Sequence, residues 1–337
     1  MPHLIEGRNA SELLTEAFVD VHELAENQTS RNGDVLSLTG PTILHNKNPR
    51  EKIIFCPIRR INPFFALAEC IWMISGSDRV DFLSQFNPRM KEYSDDGETL
   101  TGSAYGFRWR NHFQYDQVDV AIRLLMEDRR NRRVVITHWD PYSDLLDQSS
   151  KDLPCNLQII PRIVRGALDL TVTNRSNDLI YGALGANSCH FAFLQEFMAQ
   201  SIGVPVGSLY QISNNLHIYT DNPVYKRIIG EFHPLGYEIY DPYSGGEVSI
   251  FAPLFNDSEN FEMECRQAVD TPLEEQILSK DFTEPFFKQV WIPMVQAWLL
   301  WKSKDEDCLA PLDENDSTDW IVASRQFLKT SKLFKGE

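Results

Sequence analysis

The sequence predicts an α/β protein, and three stretches carry that prediction. Residues 11–26 place Leu13, Leu14, Phe18, Val21 and Leu24 at near-helical spacing, residues 157–176 alternate apolar and polar as strands do, and residues 187–203 return to a helical period. The 337 residues, 42% hydrophobic and 11% aromatic, suffice for one main domain with an appendage.

Taken in order, the first helix has Ser11 as its cap candidate, and the loop SRNGD follows at 30–34. The run INPFFALAECIWMISG, 61–76, is apolar almost all round, which suits a helix buried on most sides and stopped by Gly76. It holds one carboxylate, Glu69, which reads either as a helix-end glutamate turned to solvent or as a buried functional acid. Residues 157–176 read as two strands about a turn at Arg165 and Gly166, with Leu168, Leu170 and Val172 on one face. In 187–203, His190, Phe191, Leu194, Phe197 and Met198 recur as a packed face, so His190 reads as a core or helix-surface histidine and is given no role. The composition changes beyond about Pro253. There Val290, Trp291, Met294, Val295, Trp298 and Leu299 recur at helical spacing, a stripe for packing rather than for a ligand pocket, before an acidic polar stretch at 302–319. The expected division is a catalytic domain over 1–252 and a mainly helical extension over 253–337, without internal repeats.

A formal charge of -16, from 48 acidic against 32 basic residues, leaves no uniform basic footprint for a nucleic-acid polymer. A few arginines gathered in one pocket still suffice to hold a small phosphate. The six cysteines show neither a CxxC pair nor metal-finger spacing, so reduced thiols and no metal are expected. With no signal-like N-terminus and no membrane-length apolar run, the expectation is a cytoplasmic protein.

Cys155, in DLPCNLQ, stands at the start of a predicted strand, where a thiol can face a cleft; by itself such a cysteine is more often a small buried hydrophobe. Twenty residues on comes Arg175 in RSNDLIYGALGAN, at the far end of the paired strand, where a guanidinium near sulfur would favour the thiolate.

These residues carry a specific resemblance. PCN, then RSND, then a glycine and an asparagine opening a helix, then SNNLHIY, are similar to the catalytic stretch of thymidylate synthases and pyrimidine nucleotide hydroxymethylases. SRNG resembles that family's phosphate loop, ALAECIW its glutamate-bearing helix, AYGFRWR its Tyr-Gly and Trp-Arg motif, and NRRVV its paired arginines. The resemblance implies a three-layer fold with a bent mixed or antiparallel central sheet, dimerising through the sheet face. It also implies one-carbon transfer from 5,10-methylenetetrahydrofolate to C5 of a pyrimidine nucleoside monophosphate.

By that resemblance each site residue has a role. Cys155 adds to C6 of the ring; Glu69, through water, manages charge at the C4 substituent, and Tyr105 helps remove the C5 proton. Arg31, Arg175 and Ser176 grip the phosphate, joined by Arg132 and Arg133 from the neighbouring subunit of a homodimer. His217 and Tyr219, two apart on a strand and so on one face, hold the sugar 3′-hydroxyl. Asp178 binds the pterin and Gly182 leaves room for it. Asn187 reads the base, its amide donating to O4 of uracil and accepting from N3–H, where aspartate would suit cytosine. Asn187 lies twelve residues beyond Arg175 where the family has eleven, so one inserted residue in GALGAN could move the amide; a helix-capping asparagine is the other reading.

Three departures bear on the product. Asn156 replaces the usual histidine after the nucleophile, no tryptophan pair stands near Met90 and Tyr93, and the chain closes with KTSKLFKGE in place of a short apolar tail. A site more open to water would let a reactive exocyclic methylene be hydrated rather than reduced. The expectation is therefore hydroxymethylation of dUMP, as in bacteriophages that modify their DNA. The alternatives are reductive methylation to dTMP, the same chemistry on dCMP, or a catalytically silent nucleotide-binding protein. A cysteine hydrolase using His217 or His138 would have no need of the arginines.

Overall fold

The computed structural model describes residues 1–56, 59–146, 149–231 and 241–330. The chain forms two compact units, Met1–Arg60 with Arg108–Asp241, and Ile61–Phe107 with the chain from Pro242 onward. A single boundary near residue 252 was expected. The fold instead assigns the greasy helix and the residues up to Phe107 to the same unit as the C-terminal segment. Most of the KTSKLFKGE segment, from residue 331, lies outside the described residues.

Among the described residues the first unit holds ten strands: β1 (His3–Gly7), β2 (Glu26–Ser30), β3 (Gly33–Ser37), β4 (Thr42–Asn46), β5 (Ile136–Thr137), β6 (Asn156–Val164), β7 (Ala167–Asn174), β8 (Asn177–Asp178), β9 (Val206–Ser213) and β10 (Leu216–Tyr219). They build a six-stranded sheet in the order β1-β4-β9-β7-β6-β5 and a four-stranded sheet in the order β2-β3-β10-β8. Both are mixed: β1/β4, β7/β9 and β8/β10 are parallel pairs and the others antiparallel. The mixed α/β architecture is the one expected, and at two places the chain passes from a strand of the larger sheet straight into one of the smaller. The first crossing runs from β7 into β8 and the second from β9 into β10. Asn177 N–H donates to the Asn215 carbonyl at 2.8 Å and Asn214 N–H to the Asn174 carbonyl at 2.9 Å, tying the crossings together.

The six-stranded sheet buries one face through Ile5, Leu44, Ile159, Leu168, Leu170, Val172 and Leu209. The alternating residues Ile43, His45, Ile160, Thr171, Thr173, Tyr210 and Ile212 stay half-exposed in the single chain. Ser188–Ile202 packs on β7 and β9, and Ala10–Leu24 on β1 and β4. Asn9, not Ser11, caps Ala10–Leu24, its side chain accepting from the Ser11 and Glu12 amides; Ser11 lies already inside the helix. Of the two readings left open for His190, core or helix surface, the fold gives the first: the side chain is buried.

In the second unit, Asn62 caps Pro63–Ser75 and Gly76, in the left-handed region, ends it. That helix packs against Ser258–Asp270. The expected C-terminal stripe lies on Phe287–Trp291 and Ile292–Lys302 and is a packing face: Trp291 meets Phe82 and Phe86, and Trp298 meets Phe64 and Phe86. Among the described residues no helix is long and apolar enough to cross a membrane.

Candidate active site

The β6–β7 hairpin explains why a spacing of twenty residues matters. Arg165 and Gly166, with φ of 52° and 84°, form the two-residue turn, and Val164 pairs with Ala167. From there the strands run back to Asn156 opposite Asn174, so Cys155 and Arg175 stand just beyond the open end. The Arg175 amide donates to the Cys155 carbonyl at 2.9 Å and its Nε–H to the Pro154 carbonyl at 2.8 Å. With the guanidinium so anchored, Nη2 lies 3.7 Å from Cys155 Sγ, and the guanidinium carbon sits 6.0 Å from the centre of the Trp139 ring. One extra residue between Asn156 and Gln158 bulges β6 beside the thiol.

Cys155 is half-buried, whereas Cys56, Cys70, Cys189, Cys265 and Cys308 are buried. Burial pushes the Cys155 thiol above its ordinary pKa and outweighs Arg175, which pulls it down; Asp152 and Asp178 push it up further. The guanidinium is thus where the sequence places it, but it offsets desolvation only in part, and the resting sulfur is a thiol.

The chain next enters the crossing. Asp178 Oδ1 accepts from the Ile180 and Tyr181 amides at 2.6 and 2.9 Å, capping the segment Leu179–Asn187. Burial raises the Asp178 pKa and those two amides lower it; among the described residues Oδ2 has no partner. His217 is the register partner of Asp178 across β8 and β10. Burial holds its pKa low, against the pull of Asp178, so the ring is neutral at pH 7. Its Nδ1–H donates to Asn215 Oδ1 at 2.8 Å, which keeps Nε2 an acceptor. The Tyr219 ring lies 5.2 Å away on the same face of β10, as their spacing of two predicts.

Leu179–Asn187 winds in wide i→i+5 turns with a kink at Leu184, where φ is -111°. A residue inserted in GALGAN is taken up as a wide turn, and Asn187 still faces the crossing. Its side chain makes no capping bond, which removes the capping reading. It joins a buried row of amides. Asn187 and Asn156 donate to each other, at 3.3 Å and 3.2 Å, and Asn187 Nδ2 donates to Asn177 Oδ1 at 3.1 Å. Asn177 Nδ2 donates to Ser213 Oγ at 3.1 Å, and Asn174 Nδ2 to Asn156 Oδ1. The amide expected to donate to O4 of uracil therefore has both its hydrogens engaged inside the protein and presents an acceptor. A Cβ at Gly182 would lie 2.6 Å from Asn177 Oδ1, so its bareness makes room for the amide row.

The remaining predicted residues are spread over both units. Arg31 is exposed at the tight β2–β3 turn, Ser176 is half-buried, and Arg132 and Arg133 are exposed before β5. In the second unit Glu69 is half-buried on Pro63–Ser75, and Tyr105 is buried on the short helix Tyr105–Phe107. Gly106 allows that placement, because a Cβ there would fall 2.0 Å from the Met73 carbonyl oxygen of the glutamate-bearing helix. In the RWR half of AYGFRWR, Arg108 grips Asp144 at 2.7 and 2.8 Å, and Trp109 Nε1–H donates to His138 Nε2 at 2.5 Å. Asn174 and Trp139 carried no signal in the sequence, and Asn177 and Ser213, inside RSND and SNNLHIY, carried no role there, since sheet crossing and bulge bring them in.

The thymidylate synthase family model matches residues 15–227, more than half of the chain. The chain belongs to the thymidylate synthase family. It is similar to a Pseudomonas phage M6 protein named deoxyuridylate hydroxymethyltransferase, with 39% identity over 335 residues that span 97% of this chain and 93% of that one. A protein of the same name from Bacillus phage SP01 is 39% identical over 57% of this chain and 54% of its own. A putative thymidylate synthase of Methanothermobacter marburgensis is 30% identical over 62% of this chain and 88% of its own. As a member of the thymidylate synthase family the protein is a one-carbon transferase whose family draws on a folate donor. Among the described residues no group of three or more His, Cys, Asp or Glu is arranged to hold a metal ion.

Proposed function

We propose that the protein makes 5-hydroxymethyl-dUMP from dUMP, with Cys155 as nucleophile. The observation that carries the chemistry is Arg175 anchored 3.7 Å from the Cys155 sulfur at the open end of the hairpin. The likeness to the phage M6 deoxyuridylate hydroxymethyltransferase, over nearly the whole of both chains, supports the substrate and product. The Cys155 thiolate adds to C6 of the pyrimidine, which makes C5 nucleophilic. Arg31, Arg175 and Ser176 bind the phosphate, and Arg132 and Arg133 reach the phosphate in a second copy of the chain. The half-exposed face of the six-stranded sheet, with Ile43, Ile160, Tyr210 and Ile212, supports a homodimer through that face. His217 Nε2 accepts the sugar 3′-hydroxyl beside Tyr219, and Asn187 Oδ1 accepts N3–H of uracil. Glu69 and Tyr105 handle the charge at C4 and the C5 proton.

The donor proposed is 5,10-methylenetetrahydrofolate, which supplies a methylene carbon when bound. A pterin presents N–H donors, and Asp178 suits them: its Oδ1 is committed to two amides and its Oδ2 has no partner among the described residues. Gly182, without a side chain, leaves room for the pterin on that side.

Mass spectrometry of the product from dUMP and methylenetetrahydrofolate decides the reaction. A hydroxymethyl nucleotide with no dihydrofolate is expected; a methyl nucleotide with dihydrofolate would establish reductive methylation instead. Tritium release from C5-labelled dUMP is expected as well, and its absence would leave a silent binding protein.

A further inference from the structure

Four asparagines in one buried row are costly unless each amide is satisfied, and in such a row the direction of one amide fixes the next. Asn156, Asn174, Asn177 and Asn187 are at most 7% exposed. Turning Asn187 alone by 180° would set its oxygen against Asn156 Oδ1 and Asn177 Oδ1 and break three bonds at once. Turning the whole row is resisted at its far end. Asn174 Oδ1 is buried there with no partner among the described residues, and reversal would bury an unpaired NH2 in its place, a rarer and costlier arrangement than an under-satisfied oxygen. Asn177 is seated by Gly182, whose missing Cβ leaves room for its oxygen.

We propose that Asn156 and Asn177 are positioning residues for base choice. They hold the Asn187 amide with its oxygen toward the ligand, so that uracil, with N3–H, is accepted and cytosine, with a lone pair on N3, is refused. Discrimination then belongs to the row and not to Asn187 alone. This inference rests on the uracil reading of the preceding subsection, and the test keeps the two apart.

The wild-type protein, Asn177→Leu and Asn177→Asp are compared for kcat/KM with dUMP and with dCMP, and for inhibition by 2-deoxyribose 5-phosphate, which has the sugar and phosphate but no base. Leucine removes the acceptor for Asn187 Nδ2 and aspartate keeps it. The dUMP to dCMP ratio is expected to fall about tenfold in Asn177→Leu, the worth of one hydrogen bond, and to stay near wild type in Asn177→Asp. The inhibition constant of 2-deoxyribose 5-phosphate is expected to hold in both. An unchanged ratio in Asn177→Leu, or a sugar-phosphate constant that weakens in step with dUMP, overturns the proposal, because Asn177 would then only support the fold. Asn177→Ser, read by the same two quantities, serves if the leucine protein does not fold. A wild-type protein that turns over dCMP faster than dUMP sinks the uracil reading itself; one that prefers dUMP while the variants match it sinks only the row.

Discussion

Two sets of buried polar groups, one in each unit, are satisfied in different ways. In the second, Glu264 and Glu284 are almost fully enclosed, and backbone amides satisfy both. Glu264 accepts from the Thr283 and Glu284 amides and from the Thr283 hydroxyl, and Glu284 accepts from the Asn256 amide and from Asn260. At the sheet crossing of the first, the asparagines bond to one another side chain to side chain, and capacity stays unspent: Asp178 ends on two amides with one oxygen and keeps the other, His217 keeps Nε2, and Asn187 keeps a lone pair. A buried carboxylate with both oxygens taken closes a fold, while a buried group with an atom to spare is available to a ligand.

Four measurements test that contrast, the largest effect first. Cys155→Ala is expected to lower turnover of dUMP by about ten-thousandfold or more, with an unchanged melting temperature. Full turnover in that variant would remove the first unit's claim to the chemistry. Glu264→Ala is expected to cost about 3 kcal/mol in a urea titration, since two amides and a hydroxyl lose their acceptor, and to leave kcat/KM of the folded protein in place. A selective loss of activity there would blur the contrast.

Arg175→Gln removes the group that holds the Cys155 pKa down against burial, so the thiol pKa rises and less thiolate is present at a given pH. The alkylation rate of Cys155 by iodoacetamide, followed against pH, is expected to move to the alkaline side, and a tenfold rise in the thiol's proton affinity would slow the reaction at neutral pH by about tenfold. A profile that stays in place would show that the 3.7 Å contact has no electrostatic effect.

The smallest effect concerns His138, a buried group of the first unit that belongs with the structural kind. Burial holds its pKa down at about 3 against an ordinary 6.5. The unfolded chain therefore takes up a proton that the folded one refuses, and stability falls as pH drops through that window. Between pH 7 and pH 6 this group alone is expected to account for about 0.7 kcal/mol, lost in His138→Gln. An equal slope in that variant would assign the pH dependence elsewhere.

What could be read in advance follows the same division. The hairpin was legible, because alternation at Leu168, Leu170 and Val172 fixes a face and Arg165-Gly166 fixes the turn, and together they set Cys155 against Arg175. His217 and Tyr219 were legible from the two-residue repeat of a strand. The amide row was not, since no local period links positions 156, 174, 177 and 187; a bulge, a change of sheet and a wide-turn helix bring them together. The interleaved units escaped for a related reason. A helix apolar almost all round, such as Pro63–Ser75, records that it is buried and not which segment covers it.

The wide turns of Leu179–Asn187 have a mechanical sequel. A helix of ordinary pitch rotates about 100° for each residue added or removed, so trimming one residue between Gly182 and Asn187 would swing the reading amide away from its neighbours unless the coil tightened by the same amount. The loosened coil works as slack in a tether: its length can change by one while both fastened ends, the carboxylate at its start and the amide at its finish, keep their aim.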